Sequence, residues 1–161
     1  AMNREPSPAP EPMRPADDPG WASYAETILL VHGPSPQEVD LARPLGARER
    51  AVFRAAGLPG PFGLVTSDNP RGRDSTPAEN AARRERFAAA LAARGVSPVR
   101  VDGLSRDRSR AEVGVALPWP MEEVRQLARE WDQSAIYWYD GEAMWVIGAL
   151  TEAAPWRLEP A

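Results

Sequence analysis

The 161-residue sequence predicts an α/β fold, an α+β sandwich in which helices pack on one mixed or antiparallel sheet. Three observations predict it. Short apolar runs of strand length alternate with amphipathic helical stretches. The two longer helical stretches carry their own start signals, Thr76-Pro77 and Pro120. From residue 61 onward the elements follow the order β-α-β-β-α-β, the ferredoxin-like run, preceded by a β-hairpin and a short helix.

Residues 1–20 hold Pro6, Pro8, Pro10, Pro12, Pro15 and Pro19 without apolar periodicity, so a disordered tail is expected there. Within it, Pro12-Met13-Arg14-Pro15 has the spacing of a polyproline ligand. A single domain is expected over residues 21–152, with a frayed end over residues 153–161. Residues 26–32 read as a strand and Gly33-Pro34-Ser35-Pro36 as a turn. Residues 38–42 return as a strand, because Val39 and Leu41 alternate with Asp40. Ser35 to Glu38 also fits a helix capping box, but Pro44 and Gly46 would stop that helix early, which favours the hairpin. Residues 47–56 form a short helix with Val52 and Phe53 inward, closed by Gly57. Residues 60–66 carry a continuous apolar run suited to a central strand. Thr76 as N-cap, Pro77 at the first helical position and Glu79 two residues later start the best-defined helix, which Gly95 ends. Residues 96–101 are a strand, 103–110 a loop and 113–117 a strand. Met121, Val124, Leu127 and Trp131 make one apolar stripe on the next helix. Residues 135–139 and 143–150 are strands joined at Asp140-Gly141, a two-residue hairpin turn.

Composition excludes several chemistries. Without cysteine there is no disulfide, no thiolate metal site and no cysteine nucleophile. The only histidine is His32, so a two-histidine zinc site is impossible, and a lone strand-end histidine reads as incidental. Lysine is absent, which removes Schiff-base chemistry. No acidic cluster announces a metal, and Gly-rich phosphate loops and G-x-S-x-G are absent, so neither metal nor cofactor is expected. No apolar run approaches the ~20 residues of a membrane span, and no charged-then-apolar leader is present. A cytoplasmic protein without a membrane partner is expected. Net charge is −4, but residues 71–110 hold ten Arg against five Asp or Glu, a balance of +5. A basic stretch on an acidic chain suits a discrete anion better than a long nucleic acid, which the acidic remainder would repel.

That stretch begins at Thr66-Ser67-Asp68-Asn69-Pro70-Arg71-Gly72-Arg73, where a strand breaks into an arginine-bearing loop feeding a helix N-terminus. On a wheel of about 100° per residue, Asn80, Arg84, Phe87 and Leu91 fall within about 60° of one another. Phe87 and Leu91 face the sheet, so Asn80 and Arg84 continue the inward stripe toward the loop. The expected ligand-binding set is Thr66, Asn69, Arg71, Arg73, Asn80, Arg84 and Gln133, with Glu112 as candidate acid or base. A structural alternative stands beside it. Asn69 before Pro70 is common turn chemistry, Asn80 suits bonds to the loop, and Arg84 suits pairing with Asp68 or Asp74. Trp131, Trp138 and Trp145, with Tyr137 and Tyr139, read as core and cross-strand pairs.

Thr66-x-x-Asn69-Pro70, Asn80 in a helix opening Thr-x-x-Glu-Asn, and Gln133-x-Ala135 before an aromatic strand resemble the bacterial family called domain of unknown function 3293, over about residues 24–150. Glu112 falls where such proteins carry a glutamate before a strand. The chain departs in Ser67, where alanine is usual, and in Arg-Gly-Arg after the proline. The resemblance implies a compact α/β domain and no particular activity. The residues themselves point first to binding of an anionic small molecule, a nucleotide or a phosphorylated or carboxylate metabolite. The alternatives are a protein–protein interaction module using the proline-rich tail and acidic surface, and an enzyme with Glu112 as acid or base beside an arginine-stabilised anion.

Overall fold

A computed structural model describes residues 11–159. The chain is α+β. β1 (Ile28–His32) and β2 (Pro36–Asp40) form the expected hairpin, followed by α1 (Ala47–Ala55), β3 (Phe62–Thr66) and α2 (Pro77–Ala93). Then come β4 (Val99–Leu104), β5 (Ala111–Glu112), β6 (Gly114–Leu117), α3 (Met121–Glu130), β7 (Ala135–Tyr139), β8 (Met144–Gly148) and β9 (Trp156–Arg157). The strands make one curled sheet in the order β2-β1-β4-β6-β3-β7-β8-β9, with β5 beside β4, and every strand pair is antiparallel. β4 drives the curl: its first residues pair with β6, its last with β1 and β5.

Period-two alternation splits the sheet into two cores. Phe62 and Leu64 of β3 join Phe53 of α1, Tyr139 and Val146 on one face. Val65 joins Phe87 and Leu91 of α2 and Val124 and Leu127 of α3 on the other. Burying each of these large side chains stabilises by about 1.5–3 kcal/mol. Gly63 lies beneath α3, where a Cβ would sit 2.6 Å from Val124, so the missing side chain lets helix and central strand touch.

The expectations for one strand and one turn are corrected, and both ends of the described chain make contacts with the sheet. Met13 is 4% exposed, its N–H donates to the Leu150 carbonyl, and its own carbonyl accepts from Glu152 N. One buried methionine and the 3-10 turns at Pro15–Asp17 and Trp21–Glu26 replace the missing periodicity. Burial of Met13 also removes Pro12-Met13-Arg14-Pro15 from use as an accessible polyproline ligand. Pro6, Pro8 and Pro10 lie outside the described residues. The C-terminal end is likewise held: Trp156 and Arg157 pair with β8, and Leu158 is buried. The expected strand at 96–101 starts later and runs to Leu104, because Gly103 and Leu104 find backbone partners on β1 that a loop would leave empty. The two-residue turn is a four-residue loop. Tyr139 pairs with Met144, and the Asp140 carboxylate accepts from Glu142 N and Ala143 N.

Candidate functional site

The loop at the end of β3 is built by side chains that replace a strand's hydrogen bonds. Thr66 Oγ1 donates to the Val113 carbonyl at 2.6 Å and accepts from Asp68 N at 2.9 Å. Val113 is the one residue separating β5 from β6, a break in the ladder at which the register with β4 is kept. The Asp68 carboxylate accepts from Val113 N at 2.9 Å, so Thr66 and Asp68 together satisfy both backbone groups of the residue at the break.

Asp68 is fully buried and its charge is met by Arg84 in a two-pronged pair, Nε to Oδ1 at 2.8 Å and Nη2 to Oδ2 at 2.5 Å. That bond raises the Arg84 pKa above its ordinary value. Asn69 stands in the left-handed region at φ 47, which asparagine tolerates. Its amide and that of Asn80 clasp each other: Asn80 Oδ1 accepts from Asn69 N at 3.0 Å, and Asn80 Nδ2 donates to Asn69 Oδ1 at 2.9 Å. Asn69 Oδ1 also accepts from Ser75 N, and Asn69 Nδ2 donates to Glu112 Oε1 at 3.2 Å. Gln133, buried, donates to the Asp68 carbonyl and so fixes the loop from the β7 side.

Thr66, Asn69, Asn80, Arg84, Glu112 and Gln133 are therefore brought together, and their hydrogen bonds go largely to one another and to the loop backbone. Arg71 and Arg73 differ. The Arg71 N–H donates to the Asp132 carbonyl at 2.8 Å, which holds the residue at φ 60. Neither guanidinium forms an ion pair or hydrogen bond among the described residues, and Asp74, the next acid along the chain, pairs with Arg110. The backbone N–H groups of the loop are spent as well. Gly72 N donates to the Asn69 carbonyl, Arg73 N to Pro70, and Thr76 N to Glu79 Oε1. The expectation that loop and helix N–H groups converge on a ligand fails at those positions, because the capping box and turn consume them.

Glu112 is the chemically poised group. Burial pushes its carboxyl above the usual glutamate range. The Asn69 amide works against that shift, and the charge of Asp68 adds to it. His32 Nε2 lies 3.0 Å from Asp102 Oδ2, a carboxylate that Arg100 also grips, and takes no part in the loop. No group of three or more His, Asp or Glu suited to a metal occurs among the described residues, and no helix there is long and apolar enough to cross a membrane. Two surface hollows, of about 190 and 350 Å³, lie away from the loop, against Leu41 and Met144 and against Val31 and Val52.

The sequence reading missed three groups. Arg83 donates to the carbonyls of Ser67 and Trp131, tying the loop to the end of α3. The wheel that placed Asn80 inward puts Arg83 at the edge of the same stripe, which was the available signal. Asp18 and Ser134 lie under the loop, joined by a hydrogen bond from Ser134 Oγ to Asp18 Oδ2. They are 116 residues apart, and nothing local in the sequence marks them.

Residues 65–136 match the family described as "Protein of unknown function (DUF3293)". The resemblance seen in the Thr-x-x-Asn-Pro, Asn80 and Gln133 pattern thus holds over that stretch, which contains every candidate site residue. No curated protein and no solved structure matches the chain.

Proposed function

We propose that this protein binds an anionic small molecule, a nucleotide or a phosphorylated or carboxylate metabolite, at the outer rim of the 69–73 loop. One observation carries the reading. Arg71 is held at φ 60, a conformation that bulky residues rarely adopt, on a loop braced by neighbouring elements, with its guanidinium and that of Arg73 uncommitted among the described residues. Backbone strain maintained around an unspent charged group is a common sign of a binding residue. Thr66, Asn69, Asn80, Arg84 and Gln133 act here as the frame rather than as contacts. The rim is open rather than an enclosed cavity, so recognition would be electrostatic and modest in affinity.

We also read β3-α2-β4-β6-α3-β7 as a ferredoxin-like unit, supported by the spatial order β4-β6-β3-β7. The loop then follows the first strand of that unit, the end of a sheet where ligands often collect.

Glu112 favours a second reading, an acid or base acting on an anion held by the arginines. Its raised proton affinity is the property such a role needs.

The test is thermal unfolding with inorganic phosphate, pyrophosphate, AMP, ATP and citrate, on wild type and Arg71→Ala. A compound at 100-fold its dissociation constant adds about 2.7 kcal/mol, a shift of several degrees. A shift in wild type that Arg71→Ala abolishes supports the reading. No shift with any compound overturns it.

A further inference from the structure

We propose that Asp18 is a positioning residue for the arginine loop, so that the segment over residues 13–20 acts as a removable brace on Arg71 and Gly72. The proposal depends on the anion-binding reading only for its consequence for affinity. The brace itself is a matter of packing.

Asp18 is 4% exposed yet has no cationic partner among the described residues. Its carboxylate accepts from Gly20 N at 2.8 Å, from the Tyr24 hydroxyl at 3.2 Å and from Ser134 Oγ. A buried carboxylate held only by neutral donors is costly to keep and is easily replaced unless its position matters. Burial, reinforced by Asp18, raises the Tyr24 pKa well above its ordinary value and keeps that hydroxyl a donor. Tyr24 is fixed in turn, because the Tyr137 hydroxyl donates to the Tyr24 carbonyl at 2.5 Å. Two local anchors, Gly20 and Tyr24, and one distant anchor, Ser134, thus aim one carboxylate at one spot.

That spot is Gly72. A Cβ on Gly72 would lie 2.0 Å from Asp18 Oδ1, and Gly72 itself stands at φ +73. Asp18 occupies the space a side chain would fill, pressing on the residue between Arg71 and Arg73. The other side of the loop is held by the bond from Arg71 N to the Asp132 carbonyl. The loop is therefore clamped between α3's end and Asp18. Between Met13, which bonds Leu150 and Glu152, and the packed Trp21, the segment is buried only at Asp18, which bonds Ser134. Segments with few buried apolar contacts open below the global unfolding energy. Release of Asp18 would free Arg71 and Gly72 while leaving both cores closed.

Native-state hydrogen exchange on the full chain tests this without any ligand. In Asp18→Ala the amides of Arg71 and Gly72 should exchange about tenfold faster relative to core amides of β7 and β8 than in wild type. Asp18→Asn should restore protection, since its carbonyl can accept from Gly20 N while its amide donates to the hydroxyl oxygens of Tyr24 and Ser134. Equal acceleration of loop and core, or none in the loop, would overturn the brace. A second measurement covers poor folding of Asp18→Ala. Gly72→Ala should destabilise the Asp18 protein more than it destabilises an Asp18→Ser background, whose shorter side chain clears Gly72, and equal effects would contradict the contact. Inorganic phosphate affinity then separates the two ideas. A loop competent one-tenth of the time weakens apparent affinity about tenfold. Loss of loop protection in Asp18→Ala with unchanged phosphate affinity refutes the coupling while leaving the anion site. Absence of binding in wild type by phosphate and by every other compound of the thermal-unfolding panel refutes the anion reading while leaving the brace.

Discussion

The two halves of the 66–73 loop have opposite economies of polar groups. In the inner half, Thr66, Asp68 and Asn69 spend their side chains on Val113, Arg84, Asn80 and Ser75. In the outer half, Arg71 and Arg73 spend only their backbones. Both halves are polar and contiguous in sequence, yet one is structure and the other is available. A motif's polar residues are thus not equivalent candidates for function. Residues whose bonds are needed to hold the backbone are frame, and those left over are where a ligand can act.

The sharpest way to break this comparison is at the buried pair. Arg84→Ala leaves the Asp68 carboxylate inside the protein without its counter-charge. The cost should be about 3 kcal/mol, at the lower end for broken buried pairs because part of the Arg84 side chain reaches solvent. Urea unfolding measures it, and a loss under about 0.5 kcal/mol would mean that the inner half is not frame.

Glu112 gives a smaller, pH-dependent effect. Its folded pKa is raised, so the folded chain binds this proton more tightly than the unfolded chain does. The resulting stability is complete below the ordinary glutamate value of 4.5 and is lost as pH rises through the folded value. Glu112→Gln cannot ionise, so wild type should lose stability relative to the variant as pH climbs through that window. A difference that stays flat with pH would show Glu112 to be an ordinary solvated carboxylate.

Ser67→Ala should have the smallest effect. The Ser67 hydroxyl is buried and makes no hydrogen bond among the described residues, so alanine should be neutral or stabilising by up to about 1 kcal/mol. A loss of more than about 1 kcal/mol would reveal a partner for the hydroxyl.

Sequence carried the parts of this molecule that are local. The hairpin of β1 and β2, the capped start of α2 and the α3 stripe follow from turn chemistry, capping and periodicity within a few residues. Asn80, Arg84 and Asn69 were legible as a group because helical period and loop adjacency constrain them together. What escaped depends on distant pairing. The brace by Asp18 needs Ser134, and Met13 needs Leu150, so residues 11–20 looked like a tail. The break between β5 and β6 at Val113 is compensated by Thr66 and Asp68 from another part of the chain. Whether helix-start N–H groups stay free for a ligand also hung on side-chain geometry that spacing alone does not give.

The measurement closest to the central claim is a paired one on Arg71→Ala: urea unfolding, and calorimetric titration with pyrophosphate. The division between frame and free rim predicts stability within about 0.5 kcal/mol of wild type and pyrophosphate binding lost. Binding unchanged, or stability falling together with binding, would contradict it.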